Sequence, residues 1–386
     1  MSAGQASPAA SGSRVVRDPV RALQHALYRA AKADPGRRFH ALADKVYRRD
    51  VLRAWVMVRA NNGAPGIDRT TLAQVEQYGV TRLLGELASE LREGRYRPLP
   101  ARRVLIPKPG SPEGAQRPLS IPTVRDRIVQ SAVKIVLEPV FEADMLPCSF
   151  GFRPRRSVHD ALQVLIDECW RGCRWVVETD IADCFSAIPH QKLMQAVQER
   201  VCDQGVLRLL RVMLRAGVLE DGRVRRPVTG SPQGGPVSPL LCNVYLHRLD
   251  RAWSRREHGT LVRFADDLIA LCTSREQAEA ALERLKVLLA ELGLEPKEAK
   301  SKSFRAALNK LNAKGTTLLV DSSNGDSKNL HLSSRNLKGV ELIAGNAVHP
   351  YHLLRYSSAV FSRAALEKLQ DSLKATAPKR KQAEVA

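Results

Sequence analysis

At 386 residues the chain is long enough for two or more domains, and its formal net charge is +21. A charge of this size favours a polyanionic partner, with nucleic acid as the default, over an ordinary soluble basic protein. The sequence shows no apolar run that could span a bilayer, and we expect no signal peptide. The seven cysteines do not complete a zinc-site spacing, so we expect reduced thiols and a cytoplasmic location.

The N-terminal part is predicted to be helical. Residues 1–18 are small and polar and are predicted to form a disordered tail. Over residues 19–91 a basic helical extension is expected, with Leu23 and Leu27 on one apolar helix face. The pattern suits an ordinary amphipathic helix pair packing on the core, and its basic residues suit contact with a nucleic acid at the same time.

A basic β-hairpin is predicted next. Residues 104–108 and 117–121 are expected to form two strands joined by a Gly/Pro turn. Between Arg92 and Arg127, nine basic residues stand against three acids. Such a surface suits phosphate oxygens, for which arginine is geometrically the better partner.

Helices and one loop follow the hairpin. A helix is predicted over residues 126–137, and Pro139 is expected to end it. The loop at residues 149–156 interleaves aromatic and basic side chains. This combination suits contact with a bent single strand of nucleic acid and its phosphates. The alternative is that its aromatic residues, Phe150 and Phe152, belong to the core. A further helix is expected over residues 159–170.

Carboxylates follow two apolar strands. The strand at residues 176–180 ends at Asp180, and residues 261–271 place Asp266 and Asp267 between two apolar strands. Adjacent acids in an apolar run are costly unless something binds them, and a divalent cation accepts carboxylate oxygens. A hairpin whose Asp-Asp turn simply faces water is the alternative. Three carboxylates from two strands can hold two ions about 3.5–4 Å apart, as two-metal phosphoryl transfer needs.

These stretches, with the glycine-rich turn at residues 230–241, resemble palm motifs A, B and C of reverse transcriptases. The resemblance is closest to the group II intron-encoded maturases. It also includes, in the family's order, residues 61–68, 117–122 and 149–154. It implies an α+β fold of the right-hand polymerase type, in which an antiparallel sheet with helices forms the palm. Fingers are then expected at residues 92–175 and the palm at 176–300.

The resemblance also implies an activity. The chain would be an RNA-directed DNA polymerase with two Mg²⁺ ions (or Mn²⁺), acting on an RNA template, a DNA primer and deoxynucleoside triphosphates. The implied metal ligands are the carboxylates of Asp180, Asp266 and Asp267 and the backbone carbonyl of Ile181. Implied substrate contacts are Lys108 and Arg117 at the triphosphate, Phe185 under the sugar, and Gln233 and Gly234 at the base pair. General template-backbone contacts are the alternative for Lys108 and Arg117.

The likeness to polymerases breaks near residue 300, and no thumb is recognisable beyond it. Residues 303–375 resemble instead the C-terminal part of bacterial large-subunit ribosomal protein L-four, which implies a small α/β domain. A basic disordered tail is expected at 376–386. Insertion of an intron polymerase into a ribosomal-protein gene, or a reading-frame artefact, would each give this order. The alternative function is therefore an RNA-binding fusion protein, contacting ribosomal or intron RNA with little or no polymerisation.

Overall fold

The computed structural model describes residues 18–107, 116–220, 222–226, 228–230, 234–296, 316–321, 340–344, 348 and 355–376. For Arg117 and residues 372–376 only the backbone is described. The two tails predicted at 1–18 and 376–386 lie almost wholly outside these ranges. The chain divides into two compact units, residues 1–104 with 118–296 and residues 105–117 with 297–386.

Helices occupy the N-terminal part, as the apolar periodicity predicts. They are α1 (Pro19–Ala33), α2 (Ala43–Val46), α3 (Arg49–Leu52), α4 (Trp55–Ala60), α5 (Leu72–Tyr78) and α6 (Val80–Arg92). Asp18 begins α1 by accepting a hydrogen bond from the amide of Val20 at 2.9 Å. Leu27 is buried in the main core, which explains the apolar stripe along this helix.

The next helix, α7 (Val124–Glu142), contains Pro139, so the prediction that this proline ends the helix is wrong. A proline inside a helix leaves the carbonyl four residues earlier without its amide donor. Here that carbonyl belongs to Ile135, and Nε2 of Gln24 on α1 donates to it at 3.3 Å. A side chain 111 positions away therefore supplies the missing donor, which local sequence patterns do not reveal.

The predicted basic hairpin is present as β1 (Ala101–Pro107) and β2 (Gln116–Ile121). It belongs to a four-stranded sheet of order β2-β1-β4-β5, with β4 (Val218–Glu220) and β5 (Arg223–Arg225). The β1–β4 pairing is parallel, with Ala101 opposite Val218. The sequence indicated the hairpin but not this second pair of strands.

An antiparallel sheet of order β3-β7-β6 lies at the centre of the larger unit. Its strands are β3 (Trp175–Asp180), β6 (Thr260–Phe264) and β7 (Asp267–Cys272). One face carries Val177, Leu261 and Leu268 into the main core. The remaining helices of this unit are α8 (Val158–Trp170), α9 (Cys184–Ala187), α10 (His190–Gln198), α11 (Gln204–Arg215), α12 (Ser238–Ala252), α13 (Arg255–His258) and α14 (Arg275–Leu292). This is the predicted α+β arrangement of fingers and palm.

The described residues of the second unit include a small parallel sheet of order β10-β8-β9 and the helix that follows it. Its elements are β8 (Thr317–Asp321), β9 (Val340–Ala344), β10 (Ser358–Phe361) and α15 (Arg363–Thr376). Leu318, Val320 and Ala365 are buried together between sheet and helix. The expected small α/β fold is confirmed. None of the helices in the described ranges of the chain is long and apolar enough to cross a membrane.

Candidate active site

Acidic residues of two strands lie opposite each other at one end of the central sheet. Asp180, the last residue of β3, is directly opposite Asp267, the first residue of β7. Opposite residues of an antiparallel pair share a face, with Cβ atoms about 4.5–5.5 Å apart. Phe264 of β6 is opposite Asp267 on the other side. Asp180 and Asp266 are half-buried and Asp267 is exposed, so the acids lie at the rim of the core.

The turn between β6 and β7 consists of Ala265 and Asp266. Ala265 has φ +59°, a left-handed conformation that costs a residue with a Cβ about 1–2 kcal/mol. Gly151 packs directly on this turn, because a Cβ at position 151 would lie 2.4 Å from the amide nitrogen of Ala265. Asp266 is thus presented by a tight turn that a neighbouring loop contacts closely.

A buried arginine lies beneath the turn. Arg263 is fully buried, and its guanidinium donates to the carbonyl of Ala265 at 2.9 Å. It also donates to both carboxylate oxygens of Asp250 at 2.8 and 2.6 Å, to Oδ1 of Asn243 at 2.9 Å and to Oγ of Ser149 at 2.8 Å. Burial alone would lower the pKa of Arg263, but Asp250 outweighs burial and raises that pKa.

Sequence reasoning missed Arg263, although the signal was present. A charged residue two positions from Leu261 faces the same side of the strand, and that side is the core. Such a residue needs buried partners. Its partners come from α12 and from the loop at residues 149–156, so the network joins three parts of the site.

The loop at residues 149–156 divides into structural and exposed residues. Phe150 is buried, as the core alternative expected, whereas Phe152 is exposed. Arg153 is not available to phosphates. Its side chain is 5% exposed, pairs with Glu142 at 2.7 Å, and donates to the carbonyls of Leu146 and Ser149 at 2.7 Å each.

Two aromatic rings, one from the loop at residues 149–156 and one from α9, pack against each other. The rings of Phe152 and Phe185 pack edge to face, with centroids 6.4 Å apart and planes at 76°. Phe185 is the second residue of the short helix α9 and is buried, while Phe152 is 52% exposed. Phe185, the residue expected to contact the sugar, therefore has the exposed ring of Phe152 packed against one side.

The segment after Asp180 is held by residues that follow α14. Ile181 is buried and bridges Pro296, and the amide of Ala182 donates to the carbonyl of Glu295 at 2.9 Å. Asp183 is exposed, as a solvated acid would be, and its φ of +43° is left-handed. Of Asp180 and Asp183, Asp180 alone lies opposite Asp267.

The glycine-rich turn packs against β2. Gly234 has φ +111°, and a Cβ there would lie 2.6 Å from the carbonyl oxygen of Ser120. The absence of a Cβ at this position therefore allows the turn to pack closely on β2. Gln233 and Lys108 lie outside the described residues, and of Arg117 only the backbone is described, in the second residue of β2.

Oxygen donors make this site suitable for a hard cation. Within the described part of the chain, no group of three or more His, Cys, Asp or Glu side chains forms a cage that could hold a metal ion. Mg²⁺ does not need such a cage, because it keeps several waters and binds one or two carboxylates together with substrate phosphates. The opposed Asp180 and Asp267, with the adjacent Asp266, fit that manner of binding.

The central sheet and its acid-bearing turn define a polymerase palm. The chain belongs to the reverse transcriptase (RNA-dependent DNA polymerase) family, whose model matches residues 106–336. Protein YkfC of Escherichia coli is 39% identical over 237 residues, covering 59% of this chain and 61% of that protein. The group II intron-encoded protein LtrA of Lactococcus lactis is 42% identical over 166 residues, covering 43% of this chain and 27% of LtrA. The chain thus spans less than two thirds of either relative.

A separate segment is similar to a ribosomal protein. The large ribosomal subunit protein uL4 of Acidobacterium capsulatum is 51% identical over 112 residues, which cover 29% of this chain and 50% of that protein. The expected combination of a reverse transcriptase with a segment like ribosomal protein L-four is confirmed.

Proposed function

We propose that the chain is an RNA-directed DNA polymerase of the group II intron type, extending a DNA primer on an RNA template with deoxynucleoside triphosphates. The observation that carries this proposal is the register of the central sheet, which sets Asp180 opposite Asp267 with Asp266 in the adjoining turn. Membership of the reverse transcriptase family and similarity to LtrA support it.

Each acid has a role in this proposal. Asp180, Asp266 and Asp267, with the backbone carbonyl of Ile181, would hold two Mg²⁺ ions, and Mn²⁺ is the substitute. When bound, these ions would lower the pKa of the primer 3′-hydroxyl and stabilise the leaving oxygen of the pyrophosphate. The protein's own contribution is to fix the carboxylates at the rim of a rigid sheet, so that the reacting groups meet in line.

The nucleotide contacts belong to the same proposal. Phe185 would lie under the sugar and exclude a 2′-hydroxyl, and its burial supports a rigid barrier. Lys108 and Arg117 would meet the triphosphate, and Gln233 and Gly234 the base pair. Residues 92–175 would serve as fingers and 176–300 as palm, and the reaction would take place in the cytoplasm.

The test is primer extension by the purified chain on an RNA template with Mg²⁺. Asp266→Asn should abolish synthesis, since it removes a charge from the turn without changing side-chain size. Asp183→Asn is the matched control, because that exposed acid lies near the same site but outside the facing pair. Equal synthesis by the Asp266 variant and the wild type would show that the site is assigned to the wrong residues.

A second candidate function is RNA binding without polymerisation, by a fusion of a reverse transcriptase with a uL4-like segment. The similarity of that segment to a ribosomal protein favours it. Under this alternative the wild type makes no DNA, whereas RNA still binds and Asp266→Asn leaves binding unchanged or slightly stronger. Both candidates predict salt-sensitive RNA binding, so salt dependence alone does not separate them.

A further inference from the structure

A groove of about 700 Å³ lies on the larger unit between α10 and α11. The outward side of α10 contributes glutamines, α11 contributes Arg211 and Arg215, and the chain just after β5 contributes Arg226. Its lining includes no residue of β3, β6 or β7 and none of the 265–266 turn. It is therefore a feature separate from the carboxylate site.

The lining of this groove favours anions. Arg211 and Arg215 are one helical turn apart on α11. Within the described ranges, neither they nor Arg226 forms an ion pair, whereas Arg153, Arg248 and many other arginines do. The described lining residues include no Asp or Glu. Unpaired guanidinium groups around a concavity raise the local concentration of phosphate groups.

The groove also has features that suit nucleotides rather than an inorganic anion. Met194 and Leu214, which belong to the buried core, form part of its lining. Gln191 and Gln195, one turn apart on the exposed side of α10, offer both amide donors and acceptors. Guanidinium planes can stack on unpaired bases while neighbouring groups bind phosphates. An acidic protein surface could pair with the arginines, but it would not need the apolar floor and the glutamines beside them.

The groove adjoins the nucleotide side of the palm. The backbone amide of His190 donates to the carbonyl of Val228 at 3.2 Å. The ring Nε2 of His190 donates to the carbonyl of Gly230 at 2.6 Å. Gly230 in turn packs on the backbone of Ser186, next to Phe185. The α10 wall of the groove is thus fixed to the segment that carries the proposed sugar contact.

We propose that this groove binds single-stranded RNA continuous with the template, as a contact outside the primer–template duplex. The three arginines hold its phosphates, and the apolar floor receives a base or ribose. This site goes beyond the proposed polymerase reaction, because it adds affinity for an unpaired extension and needs no carboxylate or metal.

The test compares two ligands by fluorescence anisotropy, using the full chain without divalent metal. One is a DNA–RNA primer–template duplex with a single unpaired template nucleotide, and the other is the same duplex with a 12-nucleotide RNA extension. The wild type should bind the extended ligand at least tenfold more tightly. The triple variant Arg211→Gln/Arg215→Gln/Arg226→Gln should keep its affinity for the short ligand within twofold and lose most of that gain.

Salt dependence and charge-matched variants sharpen the test. Loss of three phosphate contacts should reduce the slope of log K against log salt by about 2 for the extended ligand. Arg256→Gln/Arg275→Gln/Lys286→Gln removes the same charge from exposed residues on α13 and α14 and should keep the tenfold gain. A variant in which Arg211, Arg215 and Arg226 are all replaced by lysine should recover part of the tenfold gain.

The proposal would be overturned by an undiminished gain in the glutamine variant or by an equal loss for both ligands. It would also be overturned if the three arginines mediated binding of polyglutamate rather than of RNA. Retained affinity for the short ligand shows that the variant is folded. If the wild type fails to extend a primer but keeps the arginine-dependent gain, the proposed function fails and the groove proposal stands. If the wild type extends a primer without such a gain, the groove proposal fails and the proposed function stands.

Discussion

Arg263 and Asp250 form an ion pair in which neither side chain is accessible to solvent, with Nη2 and Oδ2 2.6 Å apart. The pair lies directly under the turn that carries Asp266, since the same guanidinium holds the carbonyl of Ala265. Removing one member of a buried pair leaves an uncompensated charge, whereas replacing both by apolar groups is often tolerated.

Arg263→Met should therefore destabilise the fold by about 3–5 kcal/mol. The double variant Arg263→Met/Asp250→Leu should regain much of that stability, measured by urea unfolding. It should still extend primers poorly, because the left-handed Ala265 loses the donor to its carbonyl. Arg200→Met, which breaks the pair of this buried arginine with the half-buried Asp144, is the control for stability loss without loss of synthesis per folded molecule. Full synthesis by the double variant would show that the network serves folding alone.

Removal of divalent metal with EDTA should stop synthesis and leave RNA binding in place. Asp180→Asn should raise the Mg²⁺ concentration needed for half-maximal rate and lower the maximal rate by at least about 10²-fold, as loss of a charge-stabilising group does elsewhere. Asp183→Asn should change neither quantity. A metal titration of primer extension for the three proteins measures both. Identical curves for Asp180→Asn and the wild type would contradict the role given to Asp180.

Phe185→Val should relax the discrimination between deoxynucleotides and ribonucleotides, because a smaller side chain leaves room for a 2′-hydroxyl. The quantity to measure is the ratio of kcat/KM for the two nucleotides in single-nucleotide insertion. Phe152→Ala removes the ring that packs on Phe185 and is the matched control. Phe152→Ala should lower the free energy of unfolding, with little change in the ratio of kcat/KM values. A larger change for Phe152→Ala would assign the discrimination to the exposed ring.

Asp203 provides a prediction about pH. One carboxylate oxygen accepts the amides of Gly205 and Val206, and the other accepts those of Leu42 and Ala43. Burial opposes the charge, but these four amides outweigh it and lower the pKa of Asp203. A lowered folded-state pKa gives stability that is present above the unfolded value and is lost as pH falls through the folded one.

Asp203→Asn should therefore cost at least about 2 kcal/mol of unfolding free energy at pH 7, since an amide NH₂ would face two backbone donors. Measured by urea unfolding at a series of pH values, the difference from wild type should shrink below about pH 4. Gln204→Ala, at the first residue of α11 and exposed, should show no such trend. A difference that stays constant down to about pH 3 would exclude the charge as its cause.

The sequence was sufficient for features that depend on local pattern. The helices around Leu27 and the basic hairpin follow from periodicity and turn chemistry. Motif order, through a family resemblance, indicated the three acids. The parallel pairing of Ala101 with Val218 could not be predicted from the sequence, because strands that are far apart in the chain leave no local signal of their pairing.

The residues whose roles were predicted wrongly or missed depend on contacts with distant parts of the chain. Pro139 is accommodated because Gln24 supplies a donor from another helix, and Arg153 serves the fold because Glu142 and two carbonyls enclose it. The alternation of β6 places Arg263 on the core side, but the four residues that bind its guanidinium group come together only in the fold. In each case the interaction partners of the residue are found only in the folded chain.

The position of β8 in its sheet has a consequence for biosynthesis. It is the central strand of the second unit, yet it precedes both strands that pair with it. As the ribosome extends the chain, residues 317–321 emerge with two open edges until residues 340–344 and 358–361 follow. Its three consecutive buried apolar residues, Leu318, Leu319 and Val320, are then a template for association between nascent chains. Termination of synthesis before residue 340 would leave both edges of β8 open.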